Sequence, residues 1–429
     1  VNYLIVGNSA AAVGAIEALR AADRDGRITL LAAEPDHTYS RPLISYLLAG
    51  KVAGQRMSYR PAEFYETHGV EAHLGEEVVR VDPAARAVTT AADRRFEYDR
   101  LLLATGGKPF VPPIAGLDTG GVFTFTRWDD VRRIESHLAE HSVRDAVVLG
   151  GGMIGLKAAE ALMARGLKVT IVELADRLLS TTLDAEAGAI LAEALRRRDA
   201  AVCLQTTVDR VLSRGGTIQG VHLTNDFEIY CQMLVVAIGV VPNVAFLAGS
   251  GIATRRGIVV DDRMRTSVED VYAAGDVVEA DDVLLGEKRP IPILPLAYRQ
   301  GFVAGRNMAG QDECYHGGMA MNSIEICDVP TIAIGRTTVC DNCADEGCEV
   351  LVRRDPKQGI YKKVVLRQGR MVGVILVGEI DNAGIFAGLI ERQLNVEALK
   401  PLLLSSEFGL LSLDSEYRKH MVSGPGIEV

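Results

Sequence analysis

One pattern occurs twice in this chain and limits its fold more than any other feature. Asn2-Tyr-Leu-Ile-Val6 is a short apolar run, Gly7-Asn8-Ser9 a turn of small residues, and Ala10 to Leu19 a stretch rich in alanine. Ala146-Val-Val-Leu149, Gly150-Gly151-Gly152 and Met153 to Leu162 repeat the arrangement. A second apolar segment follows each, Ile28–Leu31 and Lys168–Val172. Runs that are apolar at successive positions, rather than alternating, belong to parallel strands covered on both faces. Strand, tight turn, helix and returning strand make the βαβ opening of a doubly wound sheet. The expected fold class is therefore α/β with two Rossmann-like dinucleotide-binding domains.

Punctuation divides the chain further. Gly106-Gly107-Lys108-Pro109 and Pro112-Pro113 follow the apolar Leu101–Thr105, and Gly239-Val-Val-Pro242-Asn243 follows Met233–Ile238. The two breaks bracket the second βαβ unit like a domain inserted into the first. Beyond Asn307 the pattern turns β-rich, with Pro330–Gly335, Glu349–Arg353, Ile360–Leu366 and Met371–Val377, then a helical run Ala383–Arg392. A length of 429 residues suits two or three domains. The division expected is 1–110 with 241–311, then 111–240, then a small α+β C-terminal domain over 312–429.

Charge and cysteine usage narrow the function. With 46 basic against 56 acidic residues the net charge is −10, a poor match to a nucleic-acid binder, which needs a basic surface. The longest apolar run, Met233 to Gly249, is interrupted by Pro242 and Asn243 and falls short of a membrane span. No basic residue precedes Arg20, unlike a secretory signal. Seven cysteines, an odd number over a long chain, form no disulfide framework. A cytoplasmic protein without membrane or nucleic-acid partner is expected.

Gly150-x-Gly152-x-x-Gly155 is the most specific motif. It follows an apolar strand, opens a helix, and has Glu173 at the end of the next strand, the spacing of a dinucleotide fingerprint. Gly150 permits the tight turn, Gly152 lets backbone approach a pyrophosphate, and Gly155 allows close packing of helix on strand. The helix N-terminus offers unpaired N–H groups and a positive dipole end to phosphate. A carboxylate at Glu173 would accept bonds from a ribose diol and repel a 2′-phosphate, favouring NAD over NADP; Arg177 nearby tempers that preference. The first turn keeps Gly7 but has Ser9 and Ala12 at the other glycine positions, with Glu34 as its ribose candidate. Two more segments end strands in small residues, Leu102-Leu-Ala-Thr105-Gly106-Gly107 and Val271-Tyr-Ala-Ala-Gly275-Asp276.

Together these segments, with Gly239-Val-Val-Pro242-Asn243 and Gln300-Gly301-x-x-Ala304-Gly305-Arg306-Asn307, resemble the FAD- and NAD(P)-dependent pyridine nucleotide-disulfide oxidoreductases over residues 1 to about 310. The resemblance implies a glutathione-reductase-like fold and a C-terminal domain similar to the family's dimerisation domain, hence a possible homodimer. It implies FAD bound over Gly7, Ser9, Ala10, Ala11, Glu34, Arg41, Pro42, Thr105, Gly106, Gly275 and Asp276. It implies NAD(H) over Gly150, Gly152, Met153, Ile154, Gly155, Glu173 and Gly239. Thiol-active members carry a redox cysteine beside the flavin, after the second strand. This sequence has none before Cys203, and Tyr39-Ser40-Arg41-Pro42 is similar instead to rubredoxin reductases, ferredoxin reductases and the flavoprotein part of assimilatory nitrite reductase. By that similarity Arg41 and Pro42 lie against the isoalloxazine, and electrons pass from NADH to a small carrier of rubredoxin or ferredoxin type, in either direction. An NADH oxidase, a peroxide or sulfur-compound reductase, and a flavoprotein subunit or redox sensor of a larger complex are the alternatives.

Two features stand apart. Lys157 occupies a helix position where the related reductases generally have glutamate, near the nicotinamide–flavin contact. It is read either as a cation tuning the flavin or as a surface lysine paired with Glu160 or Glu173. Cys327, Cys340, Cys343 and Cys348 are weak candidates for zinc, a cluster or a redox disulfide, because Cys-x2-Cys-x4-Cys matches no strong ligand spacing. No metal is expected.

Overall fold

The strand Asn2–Val6 lies at the middle of a five-stranded parallel sheet in the order Val271–Ala273, Arg100–Leu103, Asn2–Val6, Arg27–Ala32, Val70–Leu74. The computed structural model describes residues 1–339 and 347–415. The chain leaves Asn2–Val6 toward one side of the sheet and later returns to its other side, so the end of this strand is the topological switch point. Ligands of doubly wound sheets bind there, outside the carboxyl ends of the strands. The strands are continuously apolar because both faces are covered; Leu4, Ile5, Leu30 and Leu101 are each at most 1% exposed. Each such side chain contributes about 1.5–3 kcal/mol by leaving water.

The helix Ala10–Ala22 is short-sided for a reason of packing. It lies against the helix Leu294–Met308 so closely that a Cβ on Gly301 would fall on the Ala11 carbonyl, and one on Gly14 on the Tyr298 carbonyl. This brings the C-terminal helix of the unit to the first turn.

The described residues form two compact units. The first comprises Val1–Pro112, Thr124–His141 and Ile238–Gly318. The second comprises Pro113–Phe123, Ser142–Ala237 and the chain from Met319. The helix Trp128–Glu140 thus returns to the first unit, although it lies between the two breaks read from the sequence. Side chains draw it back: Arg132 bonds Asp36 through two nitrogens, at 2.6 and 3.0 Å.

In the second unit Asp145–Leu149, Lys168–Val172, Ala201–Cys203 and Met233–Val236 run parallel, with Asp145–Leu149 again between its chain successor and a later strand. A five-stranded antiparallel sheet belongs to the same unit, ordered Met321–Ile326, Val329–Gly335, Arg370–Val377, Ile360–Arg367, Cys348–Asp355. The helix Ala383–Glu391 follows. The β-rich reading of this region holds, with one strand more than the sequence suggested, Met321–Ile326. Its hairpin turns through Cys327 and Asp328, both at positive φ (48° and 65°), where asparagine–glycine would have announced it. No helix among the described residues is long and apolar enough to cross a membrane.

Candidate functional site

The second glycine turn is built almost wholly from its own neighbourhood. Gly150 leaves its strand at φ +115°, and a Cβ on Gly155 would fall on the Gly150 carbonyl oxygen. Gly152 caps the helix Met153–Ala164 in extended conformation, and no atom lies within 4 Å of where its Cβ would stand. The first N–H groups of that helix have no helical carbonyl to bond, and no side chain caps them. Glu173 spans the turn from below: Oε2 accepts the Gly151 N–H at 2.5 Å and Oε1 the Ala175 N–H at 2.7 Å. Arg177 is engaged with other partners than this carboxylate. Its guanidinium bonds the Leu183 carbonyl at 3.0 Å, the Ser180 carbonyl at 3.2 Å and Asp176 at 2.6 Å. Lys157 pairs with Glu160 at 2.5 Å and donates to the Glu325 carbonyl at 3.2 Å, the pairing alternative read from the sequence.

The first turn is completed by distant segments. A Cβ on Gly7 (φ +121°) would fall on the Ala104 carbonyl, at the head of Thr105–Gly106. Ser9 stands at the N-cap of the helix holding Ala10 and Ala11, and its hydroxyl makes no capping bond. Glu34 accepts the Tyr39 hydroxyl at 2.6 Å and pairs with Arg41. Arg41 also donates to the Tyr39 oxygen at 3.2 Å and to the Thr126 carbonyl at 3.3 Å. Tyr39 accepts the Trp128 N–H at 3.1 Å, and burial pushes its phenol up, so it remains a donor to Glu34 at neutral pH. Pro42 follows in the 3₁₀ turn Arg41–Leu43. Arg41 is thus held at the end of the second strand. The Tyr-x-Arg-Pro run is the only sequence signal for Tyr39, and no residue pattern marks Trp128.

Two further strand ends close this region. The Thr105 hydroxyl donates to the Asn243 carbonyl at 3.1 Å, and the Asn243 N–H to the Gly106 carbonyl at 2.9 Å. Gly239 accepts the Phe110 N–H at 3.0 Å. The Gly275 N–H donates to Gln300 at 2.9 Å. Asp276 makes no hydrogen bond or ion pair among the described residues; burial pushes its carboxyl up to about 6, with Arg41 pulling the other way. A largely buried carboxyl with no protein partner fits a hydroxyl-bearing ligand donating to it.

The cysteine candidates do not assemble in what is described. Cys327 sits in the hairpin turn and Cys348 opens its strand; Cys340 and Cys343 lie outside the described residues. Among the described residues no three His, Cys, Asp or Glu side chains are placed to hold a metal.

Residues 1–301 match the family model for pyridine nucleotide-disulphide oxidoreductases. The chain belongs to that family. Residues 321–394 match the rubredoxin NAD+ reductase C-terminal domain. Subunit epsilon of NADH-dependent phenylglyoxylate dehydrogenase from Aromatoleum evansii is 35% identical over 405 residues, 93% of each chain. The nitrite reductase [NAD(P)H] of Bacillus subtilis is 31% identical over 92% of this chain, which spans 48% of that longer protein. Among solved structures, an NAD-dependent persulfide reductase from A. fulgidus superposes with a TM-score of 0.86 at 26% identity, covering 94% of this chain and 79% of the other. The NADH:rubredoxin oxidoreductase of Clostridium acetobutylicum shares the fold, with a TM-score of 0.75 at 22% identity over 96% and 99%. This protein is an NAD(P)H-dependent flavin oxidoreductase, and its family implies FAD and NAD(P)H as cofactors.

Proposed function

We propose that the chain uses FAD to pass electrons between NADH and a small electron-transfer protein of rubredoxin or ferredoxin type, in a cytoplasmic setting. The observation that carries this reading is what stands after the second strand. Where thiol-active members have cysteine, this chain has Arg41 paired with Glu34 and braced by Tyr39, and no cysteine precedes Cys203. Bound flavin takes up a hydride's two electrons and releases them singly, as a one-electron carrier requires. The chain's own task is binding and orientation. Ser9, the helix start at Ala10–Ala11, Thr105–Gly106, Gly275 and Asp276 would hold FAD, with Glu34 at its ribose and Arg41 and Pro42 toward the isoalloxazine. Gly150, Gly152, the Met153–Ile154 amides, Glu173 and Gly239 would hold NADH.

A second reading has support of its own. The relative matched over 93% of both chains is named as a subunit, which favours this chain serving as the flavoprotein subunit of a larger complex. Both readings share a test. Anaerobic titration with NADH should bleach the flavin stoichiometrically, and NADPH much more slowly. Rapid reoxidation by a rubredoxin or ferredoxin then supports the free-carrier reading. Slow turnover with every free carrier, together with co-purification of an iron–sulfur protein, supports the subunit reading. Flavin that neither nucleotide reduces would sink both.

A further inference from the structure

We infer that the antiparallel C-terminal sheet positions the nucleotide-binding loop of the second turn, through a buried clasp of Lys363 and Tyr361 on Asp184. The inference rests on the reading of Gly150–Gly155 and Glu173 as the NADH site. On the strand Ile360–Arg367, residues two apart share a face, so Tyr361 and Lys363 point the same way. Both are 1% exposed. The Tyr361 hydroxyl donates to Asp184 Oδ2 at 2.5 Å, and Lys363 Nζ lies 3.1 Å from the same oxygen. Lys363 also donates to the Val339 carbonyl at 2.9 Å. A buried ammonium with a carboxylate partner resists being pulled apart, because separation leaves a charge without water.

Asp184 is not an isolated anchor. It is the N-cap of the helix Ala185–Arg196, its Oδ1 accepting the Ala187 N–H at 3.1 Å. Neighbouring contacts repeat the pattern. Arg354, opposite Tyr361 in the sheet, bonds Glu186 at 2.7 and 2.8 Å, and the Thr337 hydroxyl donates to the Thr182 carbonyl at 2.6 Å. A basic sheet face thus grips the acidic first turn of a helix.

The segment ending at Asp184 is the one that carries Glu173. Within it the Leu183 N–H donates to the Leu179 carbonyl at 2.8 Å, and the Leu179 N–H to the Gly151 carbonyl at 2.9 Å. Gly151 in turn donates to Glu173. The same internal bonds occupy Arg177. Few bonds therefore separate the clasp from both the glycine turn and the ribose carboxylate. Lys363, Tyr361 and Asp184 are positioning residues: they touch no nucleotide themselves and set where Glu173 and Gly151 stand.

The test uses the FAD-loaded full chain and NADH itself. Asp184→Asn keeps an N-cap acceptor for the helix and removes the charge that holds Lys363. Lys363→Met removes the other partner while keeping a long apolar stem. Each should raise the KM and Kd for NADH about five- to tenfold, with kcat at saturating NADH and flavin content within twofold of the parent. The double variant should be no worse than the poorer single one, because both changes open one clasp. Unchanged KM and Kd in a folded Asp184→Asn variant, or a fall in thermal stability alone, would overturn the clasp. Gly155→Ala separates this failure from failure of the site itself. If Gly155→Ala reduces its flavin with NADH as fast as the parent, the nucleotide assignment falls and the clasp with it.

Discussion

The two glycine turns do similar work by different means. At Gly150 the bonds that shape the turn come from one βαβ unit and the segment that follows it: Gly155 packs on Gly150, Glu173 binds backbone N–H groups at 151 and 175, and Leu179 bonds Gly151. At Gly7 the shape comes from afar. Gly7 packs on Ala104, Glu34 is held by Tyr39 and Arg41, and Trp128 reaches Tyr39. Gln300 fixes Gly275, and Asp276 beside it makes no hydrogen bond among the described residues. A locally closed turn suits a nucleotide that comes and goes with each turnover. A turn completed by several chain segments suits a group retained throughout, because releasing it requires several segments to part. The departures from the glycine pattern in the first turn fall into place: Ala12, 0% exposed, tolerates a methyl group where the second turn tolerates none.

The contrast can be broken most severely at Gly7. Gly7→Val adds a side chain at positive φ against backbone, and flavin occupancy after purification should fall below about a tenth of the parent value, a loss of more than about 1.4 kcal/mol in binding. Absorbance at the flavin bands reads this directly. Gly155→Ala should leave the protein yellow but slow its reduction by NADH about 100-fold, measured by stopped flow. If the two variants lose both properties together, the turns are not separate sites.

Smaller changes sharpen the comparison. Arg41→Leu strips Glu34 and Tyr39 of their cation and should weaken FAD about tenfold or more, leaving the KM for NADH within twofold. Trp128 is the only tryptophan and sits 5.5 Å from the Tyr39 ring, so its fluorescence reports FAD binding at that end. Glu173→Ala should raise the KM for NADH about fivefold and that for NADPH less, narrowing the preference between them; an unaltered ratio would remove Glu173 from the ribose.

The smallest effect is one of pH. Asp276 is pushed up to about 6 in the folded flavin-free protein, above its value in the unfolded chain. Its folded state holds the extra proton, so stability is greatest at low pH and declines as pH rises from about 4 to about 6. The contribution is roughly 2–3 kcal/mol. Thermal melts of flavin-free Asp276→Asn and parent protein should converge at the acid end of that window and separate, in favour of the variant, above it.

Legibility followed the same line as the comparison. The βαβ openings, both parallel sheets and the four later strands were readable, since apolar runs and tight turns are properties of adjacent residues. Glu173 was readable because it follows its turn at a set spacing. Arg41 is marked only by the Tyr-x-Arg-Pro run, and no local pattern encodes its bond to Glu34. The strand Met321–Ile326 has no clear sequence signature, because Asn322, Ser323 and Glu325 dilute its apolar pattern and its turn contains no glycine. The return of Trp128–Glu140 to the first unit had no local sign at all.

What the sequence by itself determined was the chemistry available at each turn: which glycines allow close approach, which carboxylates stand at strand ends, and that no cysteine follows the second strand. Those depend on residue type and near spacing, and short-range sterics enforce them wherever the chain goes. What only the tertiary structure decided was company. It brought Trp128 to Tyr39, left Asp276 without a hydrogen bond among the described residues, engaged Arg177 with the Leu183 and Ser180 carbonyls, and set Lys363 on Asp184. Such pairings join residues far apart in the chain, and their partners are chosen by burial and by the need to satisfy each buried polar group, which no run of neighbours can specify.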